Sequence, residues 1–63
     1  MESILIIERD LEQQRYISNA LSGEYKVYTC STQEEAVKIL EHKIPDVILM
    51  EESKPDIRII EMI

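Results

Sequence analysis

Pro45-Asp46-Val47-Ile48-Leu49-Met50-Glu51 decides the fold of this chain, read together with Ile4-Leu5-Ile6-Ile7-Glu8-Arg9-Asp10. In each stretch a run of four apolar residues ends abruptly on charge. Runs of that length, apolar at every position, are characteristic of strands buried on both faces of a parallel sheet. Ligands of open α/β sheets bind beyond the carboxyl ends of such strands, where these charges gather.

Working outward, residues 3–7 form a first expected strand and residues 10–21 a helix. Leu11, Ile17, Ala20 and Leu21 share its apolar face, while Glu12, Gln13, Arg15 and Asn19 point elsewhere. Asp10 is suited to cap that helix, and Gly23 to close it in the left-handed conformation. Residues 25–30 mix polar and apolar positions, as an edge strand does. Thr32-Gln33-Glu34-Glu35 is a capping box that opens a second helix with an apolar face of Ala36, Val37, Ile39 and Leu40. Pro45 prevents its continuation. Residues 46–50 make the third strand, residues 52–56 a loop, and residues 57–63 start a third helix.

The order βαβαβ requires a mostly parallel α/β sheet with right-handed crossovers. The wholly apolar first strand belongs in the middle, giving strand order 2-1-3. The third strand then lies at an edge although it is apolar on both faces, and an apolar edge invites pairing with another chain. The chain stops at Glu61-Met62-Ile63 without a cap or polar tail. The expectation is therefore half of a longer domain, or a fragment that self-associates through the third strand and last helix. In that final segment Ile57, Ile60 and Ile63, with Ile59 and Met62, serve either core packing or a contact between subunits.

Composition narrows the function. A chain of 63 residues is one small domain, and a core of that size rarely supplies more than ~3–5 kcal/mol. Hydrophobic residues at 44% and charged residues at 32% are those of a globular domain, not a disordered tail. Thirteen acidic against seven basic residues give a net charge of −6, which repels phosphate backbones and argues against direct nucleic-acid binding. No apolar run approaches a membrane span, and no secretory signal opens the chain, so a cytoplasmic location is expected. Cys30 stands alone, which excludes an internal disulfide and points to a small buried hydrophobe. His42 sits where a helix end favours a cation, and the three tyrosines are expected to pack. No glycine-rich dinucleotide or phosphate loop is present, and no Ser or Cys nucleophile has a base beside it. No enzyme activity is expected.

The two quoted stretches resemble the first half of a response-regulator receiver domain, the phosphorylatable module of two-component signalling. The resemblance covers residues 1–63 and implies a flavodoxin-like fold. Glu8-Arg9-Asp10 stands where the family places consecutive acids after the first strand. Pro45-Asp46-Val47-Ile48-Leu49-Met50-Glu51 and Lys54-Pro55-Asp56 stand where it has Pro-Asp, four apolar residues, Asp, and a loop ending Met-Pro-Asp. Glu34-Glu35-Ala36 is similar to the family's second helix start. The departures fall on the chemistry. Glu51 replaces the phosphoryl-accepting aspartate with a side chain one methylene longer. Arg9 stands where an aspartate normally holds Mg²⁺, and a guanidinium offers no lone pair to a metal. The resemblance thus implies a pseudo-receiver: a regulatory or protein-interaction module that works without phosphorylation and without a resident cofactor. In its pocket, Arg9 either pairs internally with Glu51 and Glu8 or Asp10, or points into water. The alternatives are a phosphate- or Mg²⁺-responsive switch, with weak divalent-cation binding by Glu8, Asp10, Glu51 and Glu52, and a homodimerising fragment with no regulated site.

Overall fold

The computed structural model describes residues 1–63. β1 (Ser3–Ile7) is the middle strand of a three-stranded parallel sheet of order β2-β1-β3, with β2 spanning Lys26–Cys30 and β3 spanning Val47–Met50. Three helices complete a βαβαβα chain: α1 (Leu11–Leu21), α2 (Gln33–Leu40) and α3 (Ile57–Met62). This is the expected α/β architecture and strand order. No helix is long and apolar enough to cross a membrane.

The register divides the sheet cleanly into two faces. Leu5 lies between Tyr28 and Ile48, and Ile7 between Cys30 and Met50. These residues face α2 and α3, where Leu5, Ile7, Cys30, Ala36, Val37, Leu40 and Ile59 form the core cluster. Ile4 and Ile6 alternate to the other face, beside Val27 and Val47, and Thr29 and Leu49 respectively. All four apolar residues of β1 are buried, as an interior parallel strand requires.

The face under α1 is less complete. α1 lies over β1 and β2 and does not reach β3. Val47 and Leu49 are therefore 40% and 41% exposed. The expected apolar face of α1 is also corrected: no residue of this helix is buried, and Leu11 and Ala20 are exposed. The side turned toward the sheet is instead Gln14, Ile17, Ser18 and Leu21, all half-buried. The helix is rotated so that Gln14 can serve the strand ends, and a helix spanning only two strands leaves its flanks uncovered.

Helix ends follow local chemistry. The Asp10 carboxylate accepts from the amides of Glu12 (2.9 Å) and Gln13 (3.2 Å), satisfying two of the donors that the first turn leaves free. Thr32 Oγ1 accepts from the Glu35 amide at 3.1 Å. The return half of the capping box is shifted: the Glu35 carboxylate accepts from the Ser31 amide and the Thr32 hydroxyl, not from the Thr32 amide. Gly23 is likewise corrected, because no glycine here has positive φ. The Leu21 carbonyl accepts from both Glu24 and Tyr25 amides, so α1 ends in right-handed turns and needs no left-handed residue. At α3 only Ile59 is buried, while Ile57, Ile60 and Ile63 are exposed. The Asp56 carboxylate caps this helix and binds Arg58, which also reaches Glu34 at 2.6 Å and ties α3 to α2.

Candidate functional site

Parallel alignment of β1 and β3 brings their carboxyl ends together, and with them Glu8 and Glu51. Glu8 is the one buried charged residue. Its amide donates to the Cys30 carbonyl at 3.0 Å, extending the β1–β2 ladder by one step. Its own carbonyl accepts from Gln14 Nε2 at 3.0 Å, and the same amide group also donates to Cys30 O at 3.1 Å. Gln14 is thus a clip across the ends of the two strands. The Glu8 carboxylate, for its part, accepts from the Asp10 amide at 3.3 Å, which folds the β1–α1 turn back on itself.

Glu51 is exposed beyond β3. A hydrogen bond with Glu8 and the like charge of that carboxylate raise its pKa above the ordinary carboxylate range, with Asp10 and Glu52 adding smaller repulsions. Glu8, Arg9, Glu51 and Glu52 rim an open groove of about 350 Å³ at this edge. A second groove of about 250 Å³ runs from Glu8 and Glu51 over the apolar floor of Ile6, Ile17, Leu49 and Met50.

Of the sequence-predicted site residues, Glu8, Asp10 and Glu51 come together, and Arg9 lines the same groove without forming an ion pair with any of them. Arg9 is exposed, and both ion pairs of the protein belong to Arg58. The internal pair of Arg9 with Glu51 and Glu8 or Asp10 is therefore not formed. An exposed guanidinium keeps its hydration, and a surface pair would return only ~0–1 kcal/mol. The repulsion felt at Glu51 is consequently left unneutralised.

A divalent cation does not fit these residues as they are arranged. Asp10 holds two backbone amides and Glu8 a third. No three Asp, Glu, His or Cys side chains converge to coordinate a metal. Cys30 ends β2 with its thiol donating to the Thr32 carbonyl at 3.5 Å. Burial, with the Glu35 charge adding, pushes that thiol up to about 11, so it is protonated at neutral pH and a poor nucleophile.

Several residues that shape the site escaped the sequence analysis. Gln14 carried a signal, since it stands three residues before Ile17 and seven before Leu21 on one helical face. Gln33 carried none beyond opening α2. It donates to the Glu52 carboxylate (3.0 Å) and the Lys54 carbonyl (3.2 Å), and accepts from the Asp56 amide, so it organises the whole β3–α3 loop. Asp46 accepts from the Ser3 amide at 2.7 Å and fastens the start of β3 to the start of β1. No family model, curated protein or solved structure matches this chain.

Proposed function

We propose that this chain is a pseudo-receiver module that binds protein in cytoplasmic signal transduction, and that it works without phosphoryl transfer. One observation carries the reading: β1 and β3 converge on Glu8 and Glu51 at the carboxyl edge, while Arg9 and the amide-bound Asp10 offer no metal site. In a receiver domain the Glu51 position accepts the phosphoryl group with Mg²⁺ beside it. Here the acceptor position holds a glutamate one methylene longer than aspartate, and the Glu8 carboxylate beside it, whose charge raises the Glu51 pKa, also repels an incoming anionic phosphodonor. The interaction surface is the edge of β3 with α3, where Val47, Leu49, Ile57, Ile60 and Ile63 are exposed. Apolar edge strands pair with other chains; Val47 and Leu49 flank that edge on the α1 face of the sheet, and α3 flanks it on the opposite face.

Two measurements test this. Incubation with acetyl phosphate and Mg²⁺, followed by intact-mass analysis, is expected to show no phosphoryl adduct; an adduct mapped to Glu51 refutes the phosphorylation-independent role. Sedimentation velocity is expected to show association that Leu49→Lys abolishes. A monomer at all concentrations removes self-association and leaves the β3 edge to a different protein.

A further inference from the structure

The opposite flank of the molecule gathers positive charge in a chain whose net charge is −6. Lys26 and Tyr28 lie on the α2-facing side of β2, and Lys38, His42 and Lys43 come from α2 and the turn after it. The Lys43 ammonium donates to the Tyr28 hydroxyl at 3.0 Å and lies 4.9 Å from the ring centroid. The Lys26 ammonium lies 5.9 Å from the same centroid. Lys38, His42 and Lys43, with Ile39, line a groove of about 390 Å³ against Tyr28. None of these lysines has a carboxylate partner, since Arg58 makes both ion pairs.

The end of a helix favours cations, which accounts for Lys38, His42 and Lys43 but not for the convergence of Lys26 from β2 on the same ring. A lysine on an edge strand discourages strand pairing, which accounts for Lys26 but not for the focus on Tyr28. Two ammoniums drawn to one ring repel each other and keep unused donors. The phenol accepts from Lys43 and retains its own hydrogen to donate; that contact lowers its pKa from 10.0.

We propose that this flank, between β2 and the carboxyl end of α2, is a binding site for a phosphate monoester. A monoester is a compact dianion with three terminal oxygens, enough to meet two ammoniums and a phenol together, and lysine is an established phosphate binder as a point charge. A carboxylate would neutralise one ammonium and leave the other unmatched. A nucleic acid or anionic membrane extends its charge across the acidic remainder of the surface and is repelled there, whereas a single dianion is screened from it beyond a Debye length of ~8–10 Å. Ile39 offers an apolar wall to the ester carbon. This site is separate from the Glu8–Glu51 edge and does not depend on the proposed function.

The test is an ¹⁵N–¹H titration of the whole chain with phenyl phosphate at pH 7.5, with ionic strength held constant by NaCl. Saturable shifts are expected at Lys26–Tyr28 and Lys38–Lys43. Lys43→Gln should weaken binding ~10-fold, while Lys54→Gln, which removes the same charge from the β3–α3 loop, should change it less than ~2-fold. Lys38→Gln gives a second reading if Lys43→Gln loses dispersion. A parallel titration with a neutral peptide carrying one phosphoserine separates the sources: tighter binding of the peptide assigns the ester to a protein, and equal binding assigns it to a small metabolite. Shifts that never saturate, or an equal loss in Lys54→Gln, overturn the proposal.

Discussion

Replacing Ile59 and Ile60 by alanine, one at a time, separates burial from every other property of α3. The two residues are adjacent, chemically identical and in the same helix, yet Ile59 is 1% exposed and Ile60 50%. Truncating a fully buried isoleucine costs about 2–5 kcal/mol, because the transfer energy is lost and a cavity remains. Ile60 is half in water already and is not packed against the core cluster, and alanine has the better helix propensity, so the change should stay within about 1 kcal/mol. A domain of this size has only ~3–5 kcal/mol in total, so Ile59→Ala should stand close to its unfolding midpoint in plain buffer. The assay is urea denaturation followed by far-UV circular dichroism, with sulfate added to establish a folded baseline. With a slope near ~1 kcal/mol per molar urea, the two midpoints should differ by at least about 1 M. Midpoints that agree within about 0.5 M would refute the claim that Ile59 is the main core anchor of α3.

Two further outcomes follow from the site and the helix ends. Glu51→Gln should raise the melting temperature slightly at pH 7, because it removes a carboxylate whose pKa the fold raises above 4.5. Above that value the folded wild type holds a proton that the unfolded chain has lost, so wild-type stability declines as pH rises through the shifted pKa. The advantage of the variant must therefore shrink as pH falls below 4.5; an advantage that persists at pH 3 contradicts the Glu8–Glu51 repulsion. Gly23→Ala should stabilise by about 0.4–1 kcal/mol, since φ is not positive there and an added Cβ meets nothing within 4 Å. Thermal melts that show destabilisation would restore the left-handed closure.

The elements legible in the sequence are those set by neighbours along the chain. The apolar runs of β1 and β3, the caps at Asp10 and Thr32, and the mixed character of β2 each depend on a few adjacent residues, and the strand order follows from the contrast between them. What escaped depends on the third dimension. Whether Leu11 or Gln14 faces the sheet is a rotation of α1 settled by two backbone carbonyls from different strands. Arg9 follows the same logic: its neighbours in sequence place it among acids, but it stays hydrated at the groove's rim and unpaired, while Asp10 and Glu8 hold backbone amides. Glycine after a helix is a frequent left-handed closure, yet Ser22 here continues in the right-handed region and Gly23 has no such role. The convergence of Lys26 and Lys43 on Tyr28 joins residues from either side of α2, and no periodicity announces it.

The two side-chain fasteners of the sheet sit at diagonally opposite corners. Asp46 joins β3 to β1 where both strands begin, and Gln14 joins β1 to β2 where both strands finish. Slippage by one residue would turn every inward side chain outward and would have to break one of these anchors as well. Shear is therefore blocked along both seams, and the motion left to the three strands is a change in pitch, like a wrung cloth held at two corners.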